Sequence, residues 1–199
     1  MAGQSIMRVF FVRFGCLAAF IAALWVVHAL NAASGFWMSY AFGLIPREVA
    51  GLDGVIAMPL LHGDVPHLIS NTAPLILMGG LLAATATRAL VTVNAVIVLL
   101  GGGLVWLFGS SGIHIGASGL VFGWFGFLIA RGLVDRSPLT IGVAVVVVVI
   151  YGSLIWGVLP TQSGVSWEAH LFGAIAGAAA AVFVRTHVHN PRMREVEKW

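Results

Sequence analysis

Four polar side chains of types that enzymes use for catalysis stand at the starting ends of three apolar stretches. Ser118 lies within Gly116-Ala117-Ser118-Gly119, His170 begins a later stretch, and His67 and Asn71 begin an earlier one. Ionisable and nucleophilic side chains are costly in hydrocarbon and are rare there without a function or a partner. If the stretches span a bilayer, their order in the chain decides whether these groups can meet.

Ser118 and His170 suggest nucleophilic attack by an activated serine. A serine hydroxyl is a weak nucleophile until a base removes its proton, and histidine is the usual base near neutral pH. No acidic residue is spaced to orient the imidazole, because Glu168 lies two residues before His170 and points elsewhere on a helix. Phe122, one turn after Ser118, could hold the ring by packing on its face.

His67 and Asn71 are one helical turn apart, so both side chains point the same way. Hydrolysis needs donors for the developing oxyanion, and either residue could donate beside the backbone N–H of Ser118. The alternative is that both are interfacial polar residues that satisfy each other and nearby loop carbonyls. Their matching depth with Ser118 and His170 favours the catalytic interpretation.

The composition indicates a membrane protein. The chain of 199 residues is 60% hydrophobic and 9% charged, whereas soluble domains carry roughly a quarter charged residues. A membrane helix needs about 20 mostly apolar residues. Six segments meet this requirement, at about residues 10–30, 68–87, 90–108, 117–132, 138–158 and 168–186. The sequence therefore predicts an all-α membrane protein, a six-transmembrane-helix bundle in which residues 1–199 form a single domain.

The positive charges predict the orientation of these helices. Nine of the ten Lys and Arg residues fall on one side of the membrane, and Arg47 alone falls on the other. The positive-inside rule then places both termini in the cytoplasm. His67, Ser118 and His170 would lie near the outer leaflet at similar depth. Without organellar targeting features, the expected location is a bacterial plasma membrane, and the basic residues would face anionic headgroups rather than nucleic acid.

Small residues predict which helices touch. Gly119, Gly123 and Gly126 share one face of the fourth segment, and Gly173 and Gly177 share a face of the sixth with His170. Such faces let membrane helices approach backbone to backbone. If they meet, Ser118 and His170 come within hydrogen-bonding range. The alternative is that these glycines are ordinary features of a polytopic protein.

Other residues suggest no second kind of chemistry. Metal-dependent proteolysis is disfavoured because no His-Glu-x-x-His occurs, and paired-aspartate proteolysis is disfavoured because no predicted span contains an Asp. No metal or other cofactor is expected. We expect Cys16 to pack inside the first span, His28 to be interfacial, and His114 to cap a helix start rather than contact the site.

Three motifs together resemble the rhomboid family of intramembrane serine proteases. They are Gly116-Ala117-Ser118-Gly119, His62-x4-His67-x3-Asn71, and Ala169-His170-x2-Gly173-x3-Gly177. A lone Gly-x-Ser-Gly is a weak signal, but three motifs in this order at the ends of these helices are specific. The match covers the second to sixth segments.

The resemblance implies a helical bundle with a water-filled cavity open to the outer face. It also implies cleavage of single-span membrane proteins, within the bilayer, in or near their transmembrane segment. Carried over by position, Ser118 is the nucleophile and His170 the general base. His67 and Asn71 line the oxyanion site with the Ser118 amide, and Gly116 belongs to the same site.

Supporting positions also follow from the resemblance. His62 matches a position that steadies the first loop, the connection between the first two segments at residues 31–66, by hydrogen bonding. Phe122 stands where the family often has Tyr. The Trp-Arg motif of the first loop in many members is not evident, and Pro46-Arg47-Glu48 is the nearest stretch.

Two other functions remain as alternatives. A non-catalytic rhomboid-like factor that binds membrane proteins typically lacks the Ser or the His, and this chain keeps both. A small transporter would place its polar groups at broken helices near the bilayer centre, whereas these groups lie at helix ends on one side.

Overall fold

Helices account for the regular structure in the described part of the chain. The computed structural model describes residues 2–86, 89–161 and 164–188. The α-helices are α1 (Ala2–Ala33), α2 (Trp37–Phe42), α3 (Gly54–Ala57), α4 (Val65–Thr85), α5 (Leu90–Val96), α6 (Gly102–Phe108), α7 (Ser118–Asp135), α8 (Pro138–Tyr151) and α9 (Trp167–Val188). Short 3-10 turns occur at Val49–Gly51, Met58–Leu60 and Gly152–Val158, and Ile97–Gly101 is a π-helical turn.

Six helical segments among the described residues are long and apolar enough to cross a membrane. They are Val12–Ala33, Val65–Thr85, Leu90–Phe108, Ser118–Asp135, Pro138–Val158 and Trp167–Arg185. This confirms the predicted six-helix all-α architecture. The third segment joins α5 and α6 through the π turn, and the fifth joins α8 to the 3-10 turn that follows it.

Most boundaries lie within three residues of the predicted ones, and local polar contacts explain two of the differences. The second segment begins at Val65 rather than residue 68, since the Asp64 carboxylate accepts a hydrogen bond from the His67 backbone N–H at 2.7 Å and caps the helix. The fourth continues past residue 132 to Asp135, whose carboxylate pairs with Arg131 one turn earlier at 3.0 Å.

Helices α7 and α9 form the close central contact of the bundle. A Cβ atom added to Gly173 would overlap the carbonyl of Gly119, and one added to Gly177 would overlap the carbonyl of Gly123. The predicted meeting of these glycine faces is therefore confirmed. The two backbones are in direct contact at these glycines, so the contact fixes the separation of the two helices.

The larger core surrounds this contact and leaves two helices at the periphery. Its fully buried side chains include Leu68, Leu75 and Phe127. By contrast α8 presents a row of exposed valines, and Cys16 on α1 is also exposed. Cys16 lies within the first span, as expected, but its side chain is exposed instead of packed against the other helices.

Candidate active site

The four polar residues singled out in the sequence lie around one cavity. Its volume is about 530 Å³, and it lies at the end of the bundle where α4, α7 and α9 begin. Ser118, His170, His67 and Asn71 all line it. The helix starts bring these side chains together, as their sequence positions predicted.

Ser118 occupies the first turn of α7, where a helix has unpaired backbone donors. Ala117 precedes the helix without a side-chain cap, and within the described chain the Ser118 N–H makes no hydrogen bond. Gly116 turns the chain into the helix with a φ of 120°. The Ser118 hydroxyl thus faces the cavity beside a free amide at the positive end of a helix.

His170 is held from two sides. Its Nδ1 lies 2.8 Å from the Gly157 carbonyl, and its ring stacks on Phe122 with centroids 4.1 Å apart and planes 5° from parallel. A carbonyl only accepts, so Nδ1 carries a proton, and in the neutral imidazole Nε2 keeps its lone pair. The predicted packing of Phe122 on the imidazole is confirmed, and the ring presents a basic nitrogen at the cavity.

Ser118 and His170 share the cavity without a hydrogen bond between them in the described structure. The predicted meeting of the helices therefore brings the two side chains to one cavity but not to a formed bond. The imidazole is anchored to Gly157 and Phe122 rather than to the serine. Hydrogen bonds of this kind are often long without substrate and tighten when it binds.

Asn71 is oriented by a fully buried histidine. The Asn71 Nδ2 lies 3.0 Å from the Nε2 of His62, and the backbone N–H of Ala117 donates to the same nitrogen at 3.3 Å. His62 Nε2 must therefore accept both bonds, so its proton is on Nδ1. The second Nδ2 proton of Asn71 remains available to the cavity.

His62 stays neutral because of where it lies. It is 0% exposed, and its Nδ1 has no hydrogen-bond partner among the described residues. Burial, and secondarily the neighbouring His67, lowers the pKa of His62 from 6.5 to about 4. The backbone of Leu60 acts in the opposite direction and offsets this lowering of the pKa only in part. A neutral ring is the form that can accept from both Asn71 and Ala117.

The His67 ring lies against Gly116, the glycine two residues before Ser118 at the start of α7. Its ring meets that of His62 edge-on, with centroids 5.1 Å apart. A Cβ atom on Gly116 would come within 2.7 Å of the His67 Nε2. Both this close approach and its positive φ require glycine at position 116.

A model of the rhomboid domain matches residues 50–187, which include every residue of the site just described. The chain belongs to the rhomboid family. Uncharacterized proteins of Mycobacterium bovis and Mycobacterium tuberculosis are each 40% identical over 171 residues, covering 81% of this chain and 71% of theirs. A protein of Mycobacterium leprae, also uncharacterized, is 39% identical over 137 residues, covering 64% of this chain and 54% of its own. Because its described residues include six helices long and apolar enough to cross a membrane, this rhomboid is a multi-pass protein of the lipid bilayer.

The first loop of this rhomboid is held by an arginine and a tryptophan from different segments. Arg47 donates from Nη1 to the Gly109 carbonyl at 2.7 Å, and Trp106 donates from Nε1 to the Glu48 carbonyl at 2.9 Å. The Arg47 backbone N–H also donates to the Trp106 carbonyl at 2.9 Å, so an arginine–tryptophan contact lies at this loop although the sequence has no adjacent Trp-Arg pair there. Hydropathy could not reveal it, because the two residues are far apart in the chain.

Two histidines outside the cavity make contacts that the sequence did not predict. His28, near the end of the first span, is buried within the protein, where its Nδ1 lies 3.2 Å from the His62 carbonyl and joins α1 to the site. His114 lies outside the cavity, as expected, but it contacts Ser166 and Ser110 instead of capping α7. His189, which we expect in the carboxyl-terminal tail away from the site, lies outside the described residues.

The Gly157 carbonyl is the functional group that the sequence could not indicate. It belongs to the 3-10 turn at the end of the fifth span, and a backbone acceptor has no side-chain signature. The structure does explain why this residue is glycine. A Cβ atom on Gly157 would lie 2.7 Å from Phe122 and 3.3 Å from the His170 Nδ1, so no larger residue fits. Among the described residues, no group of His, Cys, Asp and Glu is placed to hold a metal ion.

Proposed function

We propose that this rhomboid is an intramembrane serine endopeptidase that cleaves single-span membrane proteins in or near their transmembrane segment. The observation that carries the proposal is the way His170 is held. Its Nδ1 donates to the Gly157 carbonyl, and its ring lies flat on Phe122. This leaves Nε2 as a base in the cavity that also contains the Ser118 hydroxyl.

The proposed reaction is acyl transfer through Ser118. The hydroxyl oxygen attacks the scissile carbonyl carbon while Nε2 of His170 takes its proton. The tetrahedral intermediate collapses as the same nitrogen protonates the leaving amine, giving an ester on Ser118. A water molecule, deprotonated by His170, then hydrolyses the ester and restores the serine. The Gly157 carbonyl would keep its bond to Nδ1–H throughout, as the third member of a triad does.

Three donors would stabilise the oxyanion. They are the Ser118 backbone N–H, which is unpaired, the free Nδ2 proton of Asn71, and the His67 ring. A side chain at position 116 would collide with the His67 ring, which is one of these donors. Glycine there would leave both the ring and the space for the substrate carbonyl undisturbed. Donors that are already in place stabilise developing charge without reorganisation.

The proposed orientation places both termini in the cytoplasm and the cavity toward the outer face of a bacterial plasma membrane. The distribution of Lys and Arg supports it. A cavity at that end would supply the water that hydrolysis needs, while lipid surrounds the apolar faces of the helices. A substrate helix would enter from the bilayer and unwind to reach Ser118.

The missing hydrogen bond between Ser118 and His170 favours a second candidate, a binding factor of the same fold with no catalytic activity. Such a protein would hold membrane helices without cutting them. The free Nε2 and the unpaired Ser118 amide give more support to the protease, since a binding factor needs neither.

The test is cleavage of a generic single-span substrate by the purified protein in detergent or liposomes. We expect two fragments from the parental protein and none from Ser118→Ala or His170→Ala. Co-purification of intact substrate with the parental protein and with both variants, without fragments, would support the binding factor instead.

A further inference from the structure

A ring of hydrogen bonds outside the cavity ties the loop before Ser118 to the start of the helix that carries His170. We call its four residues, Ser110, His114, Ser166 and Glu168, the loop–helix clamp. The loop, residues 109–117, supplies the first two, and the start of α9 with its preceding residue supplies the other two. Of the four, only Ser166 lines the cavity.

Glu168 forms the stronger half of the clamp. One carboxylate oxygen accepts from the Ser110 backbone N–H at 2.9 Å and also from the Ser110 hydroxyl. The Glu168 side chain is only 3% exposed. A buried carboxylate needs such donors, and bonds to a charged acceptor are stronger than neutral ones.

His114 and Ser166 form the other half. The Nε2 of His114 donates to the Ser110 carbonyl at 2.9 Å, so its Nδ1 accepts from the Ser166 hydroxyl at 2.6 Å. Ser166 in turn accepts from the Ala169 backbone N–H at 3.3 Å and caps α9. Each donor in the ring has an acceptor, and the ring closes through the backbone between Glu168 and Ala169.

The loop has few other means of keeping its place relative to α9. It contains Gly112 and Gly116, both at positive φ, and it has no helical structure of its own. Its other backbone hydrogen bonds lead elsewhere, from His114 to Leu44 and from Gly116 to Met58 in the first loop, and from Gly109 to Val105 in α6. Within the described residues, the clamp supplies the hydrogen bonds between this loop and the start of α9.

We propose that Glu168 is a positioning residue that sets the approach of Ser118 to His170. Through Ser110 it fixes the loop that leads into α7 against the first turn of α9. The glycine contact between α7 and α9 sets the separation of the helices along their length, and the clamp sets it at their starts. The inference rests on the proposed function, because the alignment matters only if the two residues react together.

Covalent labelling of Ser118 by a fluorophosphonate tests the clamp and separates alignment from folding. The final extent of labelling reports the folded fraction, whereas the rate constant reports how well the serine is activated. We expect Glu168→Ala to lower the rate constant about tenfold or more with the extent unchanged, because a displacement of about 1 Å can cost 10²-fold. Glu168→Gln, which keeps the accepting oxygen, should retain most of the rate.

Non-additivity gives a second criterion. Ser110→Ala should slow labelling, Ser110→Thr should not, and the Ser110→Ala Glu168→Ala double variant should be no slower than Glu168→Ala alone. The matched controls are Ser111→Ala in the same loop and Glu48→Gln in the first loop, which are exposed and should label at the parental rate. A reduced extent at an unchanged rate constant, or parental rates in all variants, would overturn the proposal.

The rate of amide hydrogen exchange tests the clamp without relying on catalytic activity, so it separates this inference from the proposed function. In Glu168→Ala the amides of residues 109–118 should exchange faster than in the parental protein, with no change in Ser111→Ala. Faster exchange in a protein that neither labels nor cleaves would support the clamp while contradicting the protease. Unchanged exchange would overturn the clamp whatever the activity.

Discussion

At the scale of single residues, the neutral form of two histidines organises the site. His170 must keep its proton on Nδ1 for the Gly157 carbonyl, and His62 must keep Nε2 free for Asn71 and Ala117. Each imidazole is therefore fixed in one tautomer by its partners. The proposed base and one proposed oxyanion donor both depend on this arrangement.

Removing an oxyanion donor should slow cleavage without unfolding the protein. We expect His67→Ala and Asn71→Ala each to lower turnover by about 10²–10³, the usual cost of one such donor. Turnover of a single-span substrate measures the effect, and the melting temperature in detergent serves as the folding control. Parental turnover in both variants would mean that the Ser118 amide suffices as the donor.

The buried His62 should make stability depend on pH in a defined window. The pKa of His62 is about 4 in the folded protein and 6.5 when the ring is exposed. Between these two values His62 is protonated in the unfolded chain but stays neutral in the folded protein. Stability should therefore fall as the pH drops from 6.5 toward 4, with no His62 contribution above that window. We expect His62→Gln, which keeps an acceptor but does not titrate, to lose less melting temperature over this range. Parallel melting curves would exclude His62 as the source.

The sequence predicted these residues to different degrees. Ser118, His170 and Phe122 could be placed because helical spacing fixes which side chains share a turn. The acceptor on Gly157 could not, because a backbone carbonyl has no sequence signature. The burial of His28 and the exposure of Cys16 could not be predicted, since hydropathy does not tell which face of α1 meets the bundle.

At the scale of elements, the contact between α7 and α9 is the feature that sets the geometry of the site. Gly173 and Gly177 bring backbone onto backbone, and α9 cannot move away without losing this packing. The π turn at Ile97–Gly101 adapts the third span to the same surface, where Ile97 packs against Gly123. Hydropathy predicted the span but not the turn, because both helix types have the same composition.

A single methyl group should test the glycine contact. In Gly173→Ala the new Cβ would collide with the Gly119 carbonyl, whereas Gly103 has open space around it. We expect Gly173→Ala to lower cleavage by about 10²-fold and to lower the melting temperature. Gly103→Ala should be neutral or slightly stabilising, since alanine favours a helix by about 1 kcal/mol over glycine. Equal effects of the two changes would show that α7 and α9 are not held by this contact.

At the scale of the whole molecule, hydrocarbon thickness explains why so much of the fold could be predicted. A span must be long and apolar, so six such segments indicate six helices before any contact is known. Contacts between loops follow no such rule. The ties of Arg47 to Gly109 and of Glu168 to Ser110 join residues far apart in the chain, and they became visible only in three dimensions.

The account depends most on Ser118 acting as a nucleophile activated by His170. The most direct measurement is to react the purified protein with a fluorophosphonate and locate the adduct by mass spectrometry of its peptides. We predict one adduct on Ser118, none in Ser118→Ala, and none in His170→Ala at the same exposure. Labelling that persists in folded Ser118→Ala, or a folded parental protein that remains unlabelled, would contradict the assignment.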